Sequence, residues 1–198
     1  MASKSSERRS TELKPLPKTY RAGERRSTRG AVQLRDPETG FYTRPALAEF
    51  IQYEIDGSAQ TMLNELYVTP LCLAAVRVEG SGGSAEERFM AAGEAVRKLT
   101  RVADRVARDE DVFLLLLRRT LAKNVQEFYA PRLAETINDA LKEMGGEAVL
   151  SLGIASLVEH LVRDPDDMVR KAVRALEEAR KAPGSYVIYD FRAMPLAD

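Results

Sequence analysis

Asp111-Val-Phe-Leu-Leu-Leu-Leu-Arg-Arg-Thr-Leu-Ala-Lys-Asn-Val-Gln-Glu-Phe128 is the most apolar stretch of the chain, and its reading decides the fold. Phe113, Leu114, Leu117, Leu121, Val125 and Phe128 recur at helical spacing, and Leu115 and Leu116 widen the stripe. Read this way, the segment is a central helix that must be covered on several sides. Asp109-Glu110-Asp111 suits a helix start, where carboxylates meet unpaired N–H groups and the positive dipole end. The apolar run is too short to span a bilayer.

Elements are expected on both sides of it. Asp36-Pro-Glu-Thr-Gly40 is a turn, with Pro at its second position and Gly at its end. A helix opens at Thr43-Arg-Pro45 with Leu47, Phe50, Ile51 and Ile55 inward, and Gly57 ends it. Ser58 caps the next helix, with Met62, Leu63, Leu66 and Tyr67 buried, and Thr69-Pro70 interrupts. Leu71–Val78 reads as either helix or strand, with helix favoured. Ser84 and Glu87 form a capping-box pattern for a long helix over Ser84–Arg108, seamed by Phe89, Ala92, Val96, Leu99, Ala103 and Val106.

After Ala130-Pro131, Leu133, Ile137, Leu141 and Met144 continue helically to Gly145-Gly146. Glu147–Val162 is rich enough in large aliphatics to be a largely buried helix. Asp164-Pro165-Asp166-Asp167 starts another, with a cap, Pro at the first helical position and acids in the first turn. Pro183-Gly184 stops it, and Tyr186–Phe191 has strand composition. That strand would pair with Leu71–Val78 or with another subunit. The expected fold is therefore mainly α, a compact bundle of about seven helices with at most two strands. Its divisions are a basic arm and turn over 1–40, a helical body over 41–183, and a C-terminal strand and tail over 184–198.

Leu157 to Leu176 resembles one HEAT repeat. The likeness lies in an apolar first helix, the turn at Asp164-Pro165, Val169-Arg170 opening the second helix, and Ala172 with Leu176 on its inner face. It covers about residues 146–181. The resemblance implies a scaffold that binds partners on an extended face. Repeats need neighbours, however, and no second copy is found.

Charge is distributed unevenly. The chain has 198 residues with 30 Lys/Arg and 30 Asp/Glu. Residues 1–35 carry ten Lys/Arg and three Glu, leaving 20 basic and 27 acidic residues for the rest. A basic arm thus precedes an acidic body. The arm has too few large apolar groups to offset its chain entropy, and is expected to be extended or disordered alone. Arg8, Arg9, Lys14, Lys18, Arg21, Arg25, Arg26, Arg29 and Arg35 are candidates to neutralise phosphates of DNA or RNA, or to contact a neighbouring subunit. Tyr20 is the only aromatic residue before Phe41, so base stacking would be minor. Arg97, Lys98, Arg101, Arg105 and Arg108 form a second basic face along the long helix.

Catalytic and metal signatures are sparse. His160 is the only histidine and Cys72 the only cysteine, so neither a His/Cys metal cluster nor an internal disulfide forms. An unpaired cysteine fits a reducing compartment such as the cytoplasm. No Gly-Lys-Ser/Thr phosphate loop or Gly-x-Ser-x-Gly elbow occurs. Gly80-Ser-Gly-Gly-Ser84 precedes a helix, but Glu79, Glu86 and Glu87 would repel an anion there, and the stretch reads as a linker. No cofactor, metal or catalytic residue is expected.

The expectation is a non-enzymatic structural subunit of a larger assembly, of the virion or nucleoprotein type. Its body would contact other protein subunits, copies of itself included, without touching a membrane. Its place would be the cytoplasm or an intracellularly assembled particle. Two alternatives stand beside it: a free-standing HEAT-like adaptor or regulator, and an enzyme with an unrecognised carboxylate site.

Overall fold

In the computed structural model, the residues described are 33–65 and 68–196, with side chains left aside over 61–67. The chain divides into Met1–Ala31 and a unit comprising Val32–Asp198. Among the described residues no helix is long and apolar enough to cross a membrane.

Val112–Arg118 is a strand, β4, and not the start of a helix. All five side chains from Phe113 to Leu117 are buried, but they go to two different layers. Phe113, Leu115 and Leu117 join one core, and Leu114 and Leu116 the other. A strand covered on both faces loses its apolar/polar alternation and reads as an unbroken apolar run. A buried helix gives the same run, which is why spacing alone misassigned it.

The same correction applies on both flanks. Leu71–Gly80 is β2, pairing antiparallel with β4, and Ala148–Ser156 is β5, pairing antiparallel with β2. Arg105–Asp109 is β3, antiparallel to β4. Tyr42–Thr43 is β1, parallel to β3, and Tyr186–Ile188 is β6, parallel to β5. The result is a six-stranded mixed sheet in the order β1-β3-β4-β2-β5-β6. The expected C-terminal strand therefore forms, but its partner is β5. The HEAT-like helix pair is replaced by a strand followed by a helix.

Helices cover both faces of this sheet. They are α1 (Arg44–Glu65), α2 (Ala85–Leu99), α3 (Ala122–Asn124), α4 (Ala130–Lys142) and α5 (Pro165–Ala179). A π-helical turn, Val125–Tyr129, joins α3 to α4 with right-handed helical backbone throughout, so the two run on as one segment. Phe89, Ala92 and Val96 of α2 and Leu133, Ile137 and Leu141 of α4 pack on the Phe113/Leu115 face. Leu47 and Ile51 of α1 and Met168, Ala172 and Leu176 of α5 pack on the other. The expected seven-helix bundle is thus an α/β fold with four helical segments.

Two helix starts form as their sequences require. The Ser84 hydroxyl accepts from Glu87 N at 3.2 Å while the Glu87 carboxylate accepts from Ser84 N at 2.7 Å. Asp164 accepts from Asp167 N at 2.8 Å, with Pro165 at the first helical position. The helix begun at Ser84 ends at Leu99, well short of Arg108. Helix α1 runs through Gly57 rather than ending there.

Candidate functional site

Arg105 and Arg108 lie three apart on β3, so they project to opposite faces of the sheet. Arg105 reaches Phe50 of α1, its guanidinium 5.3 Å from the ring centroid. Arg108 reaches Phe89 of α2 at 4.7 Å. Each arginine lines a different cavity.

The first is a groove of about 250 Å³ at the β1 edge of the sheet. Three segments build it. Asp36 Oδ1 accepts from Thr39 N at 2.8 Å and from Thr39 Oγ1 at 2.6 Å, which folds the Asp36–Gly40 turn. Gly40 ends that turn in the left-handed region, φ 68°, and returns the chain so that Arg35 meets Tyr42. Burial alone would raise the Asp36 carboxyl, but the Thr39 hydrogen bonds and the Arg108 charge hold it below the usual range. Helix α2 supplies Arg97 and the C-cap Thr100. Strand β3 supplies Arg105, and the turn before it supplies Asp104, whose buried carboxylate accepts from Arg101 N and Arg118 N, each at 3.1 Å.

The three guanidinium groups are oriented chiefly by carbonyls and rings. Arg35 donates to Gly40 O at 2.6 Å and to the Tyr42 hydroxyl at 3.2 Å, and lies 4.3 Å from the Tyr42 ring centroid. Arg105 donates to Val102 O at 2.9 Å and Asp104 O at 2.8 Å. Arg97 donates to Thr39 O at 2.5 Å, lies 5.0 Å from the Phe41 centroid, and pairs with exposed Glu94 at 2.8 Å. Among the described residues no carboxylate stands within ion-pair distance of Arg35 or Arg105. Three cations and one carboxylate, Asp104, line the groove, and with Glu94 offsetting Arg97 the positive groups remain in excess.

The second cavity, about 350 Å³, opens where the end of β2 meets the start of α2 and the β3–β4 hairpin. Arg77, Arg88 and Arg108 line it with Glu79, Glu86, Glu110 and Asp111. Here two of the three arginines are spent on carboxylates. Arg77 pairs with Asp111 at 2.6 Å and Glu79 at 3.3 Å. Arg108 pairs with Glu86 at 3.5 Å, Asp36 at 3.4 Å and also Glu38. Arg88 donates to Gly83 O at 2.8 Å. Among the described residues no three His, Cys, Asp or Glu side chains come together as a metal site.

Of the residues expected to bind from sequence, Arg35, Arg97 and Arg105 converge in the first groove and Arg108 lines the second cavity. Lys98 and Arg101 are exposed and line neither. The second basic face is not a helix face, since Arg105 and Arg108 belong to β3. Arg8, Arg9, Lys14, Lys18, Arg21, Arg25, Arg26 and Arg29 lie outside the described residues. Cys72 is buried and donates to Thr120 O at 2.9 Å, and burial pushes its thiol up to about 12. Phe41, Tyr42, Thr100 and Asp104 escaped the sequence reading. Only the parallel pairing of Tyr42 with Ala107 brings them together, and no local pattern encodes it.

No protein-family model matches the chain. No curated protein matches it either. Solved structures do match. The GGDEF domain of YfiN from Pseudomonas aeruginosa has a TM-score of 0.62 at 18% identity, over 80% of this chain and 95% of that one. The GGDEF domain of DgcB from Caulobacter crescentus, in complex with c-di-GMP, has a TM-score of 0.60 at 15% identity, over 79% and 95%. The diguanylate cyclase SiaD from Pseudomonas aeruginosa, in complex with its activator SiaC, has a TM-score of 0.56 at 21% identity, over 79% of this chain and 62% of that one.

At these identities the likeness is one of fold. It overturns the expectation of an all-α structural subunit of the virion type, because the architecture is that of GGDEF domains. It also overturns the expectation that the chain is no enzyme. Domains of this fold include a diguanylate cyclase, so the lack of a familiar catalytic motif no longer argues against catalysis.

Proposed function

We propose that Val32–Asp198 is a signalling domain of the GGDEF fold that binds a cyclic guanine dinucleotide in the groove lined by Arg35, Arg97 and Arg105. The observation that carries the reading is the groove's excess of guanidinium groups over carboxylates. A cyclic dinucleotide brings two phosphodiester charges and two purine faces. Arginine meets phosphate with two parallel N–H donors and stacks its plane on a base. Tyr42 and Phe41 add aromatic surface, and Asp104 can accept from the N–H edge of guanine. The structure of DgcB in complex with c-di-GMP supplies the ligand class. The second cavity is less suited, because its four acids outnumber its three arginines and already engage Arg77 and Arg108. A nucleotide ligand also fits the cytoplasmic location expected from the unpaired cysteine.

The test is isothermal titration of the full chain with cyclic di-GMP, with GTP and cyclic di-AMP as controls. Cyclic di-GMP is expected to bind in the micromolar range. Arg105→Ala is expected to weaken binding about tenfold or more, since a charge-assisted hydrogen bond contributes roughly 1.5–3 kcal/mol. No binding at millimolar ligand, or equal binding by the variant, would refute the reading. Product formed from GTP in the same mixtures would extend it to catalysis. For the arm, Arg8 to Arg29 keep the role proposed from sequence, contact with nucleic-acid phosphates or an acidic subunit, and such contact weakens as salt rises.

A further inference from the structure

Arg35 and Arg105, the two groove arginines with no carboxylate within ion-pair distance among the described residues, each lie over an aromatic ring. Arg35 stands 4.3 Å from the centroid of Tyr42, and Arg105 stands 5.3 Å from that of Phe50. The two rings meet edge-on, 4.8 Å apart between centroids and inclined at 67°. Cation, ring, ring and cation thus follow one another without a break, running from the segment before β1 through β1 and α1 to β3. Tyr42 lines the groove and Phe50 does not.

The rings are carried by rigid elements. Leu47 and Ile51 of α1 are fully buried against the sheet, and Phe50 shares their side of the helix, partly buried on the same core. Tyr42 is held by the parallel pairing of β1 with β3. Each guanidinium, by contrast, ends a long side chain with many rotamers. The carbonyls that these arginines also meet, Gly40 O for Arg35 and Val102 O and Asp104 O for Arg105, belong to the connections before β1 and β3. A ring face attracts a guanidinium and accepts its plane, so the rings add a fixed surface to those mobile partners.

On the reading that the groove takes a cyclic dinucleotide, we infer that Phe50 is a positioning residue, whose ring holds Arg105 directly, and Arg35 through Tyr42, ready to meet phosphate. It acts from outside the groove lining, through the two arginines. An arginine already held loses less side-chain freedom when a ligand immobilises it, which leaves more of each phosphate contact as affinity. No part of the protein has to move for this, since the row is complete in the free domain.

The experiment titrates cyclic di-GMP into wild type, Phe50→Leu, Phe50→Tyr, Arg105→Ala and the Phe50→Leu/Arg105→Ala double variant, all as full chains. Phe50→Leu keeps apolar bulk on the core but removes the ring, and is expected to bind about three- to fivefold more weakly. Phe50→Tyr keeps the ring and is expected to bind like wild type. In the Arg105→Ala background Phe50→Leu is expected to cost less than it does alone, because the arginine it positions is gone. In the NMR spectrum of the ligand-free wild type, the Arg105 side-chain protons are expected upfield of their ordinary positions, and Phe50→Leu returns them. Wild-type affinity in Phe50→Leu overturns the inference. So do equal losses in Phe50→Leu and Phe50→Tyr, which would make the side chain mere packing, and an equal cost in both backgrounds. Ordinary Arg105 shifts in the wild type overturn it without any ligand. Failure of wild type to bind, or of Arg105→Ala to weaken binding, overturns the groove reading instead.

Discussion

His160 illustrates how much a single residue's role depends on backbone context. It follows β5 in a turn, where its Nδ1 accepts from Ser156 N at 2.8 Å and its ring meets Tyr189 edge-on at 5.5 Å between centroids. The acceptor role requires the neutral ring. Burial first, then the nearby Lys171 charge, lowers its pKa below the ordinary value near 6.5. The unfolded chain therefore binds more protons than the folded one over the window just below about pH 6.5. The stabilisation is complete above that value and is lost as pH falls through the folded pKa. Melting curves should show the wild type losing stability between pH 7 and 5.5. His160→Asn, whose side-chain carbonyl accepts without titrating, should lose much less. Parallel pH profiles would remove His160 as the cause. A lone histidine in the sequence carried no sign of this, because its partner is a main-chain N–H fixed by the turn.

At the scale of elements, the legible parts of the fold were those written in local hydrogen-bond chemistry. Ser84 with Glu87, and Asp164 with Pro165, sit within a few residues of the groups they cap, so their patterns survive in the sequence. The strands β4 and β5 were not legible, and β2 stayed open between helix and strand, because each is covered on both faces and its period of two is erased. Length carried the missing signal. Val112–Arg118 is seven residues and Ala148–Ser156 is nine, short for core helices and ordinary for strands. Gly153 offered a second clue. An added Cβ there would stand 2.1 Å from Leu176 N and 2.3 Å from Ala172 O, so the glycine allows α5 to lie directly on β5. Gly153→Ala is expected to cost about 3 kcal/mol or more, lowering the melting temperature by about 6 °C or more. Circular dichroism melts measure this, and an unchanged temperature would contradict the close approach.

At the scale of the whole molecule, the sheet explains why a basic list read from sequence splits into two sites of different character. Arg35 and Arg105, some seventy residues apart, meet through the β1–β3 pairing and face a cavity with a single acid. Arg108, three residues from Arg105, turns to the opposite face and is tied to Asp36, Glu38 and Glu86. The sequence supplied the charges, and only the pairing of distant strands decided which remained available to a ligand. The uneven charge of arm and body, though plain in composition, said nothing about this division.

The most direct measurement is a titration of the isotope-labelled protein with cyclic di-GMP, following the arginine side-chain N–H resonances by NMR. The account predicts that Arg35, Arg97 and Arg105 shift together and saturate at one ligand concentration, while Arg77 and Arg88 stay in place. Shifts confined to Arg77, Arg88 and Arg108, or no shift at saturating ligand, would contradict it.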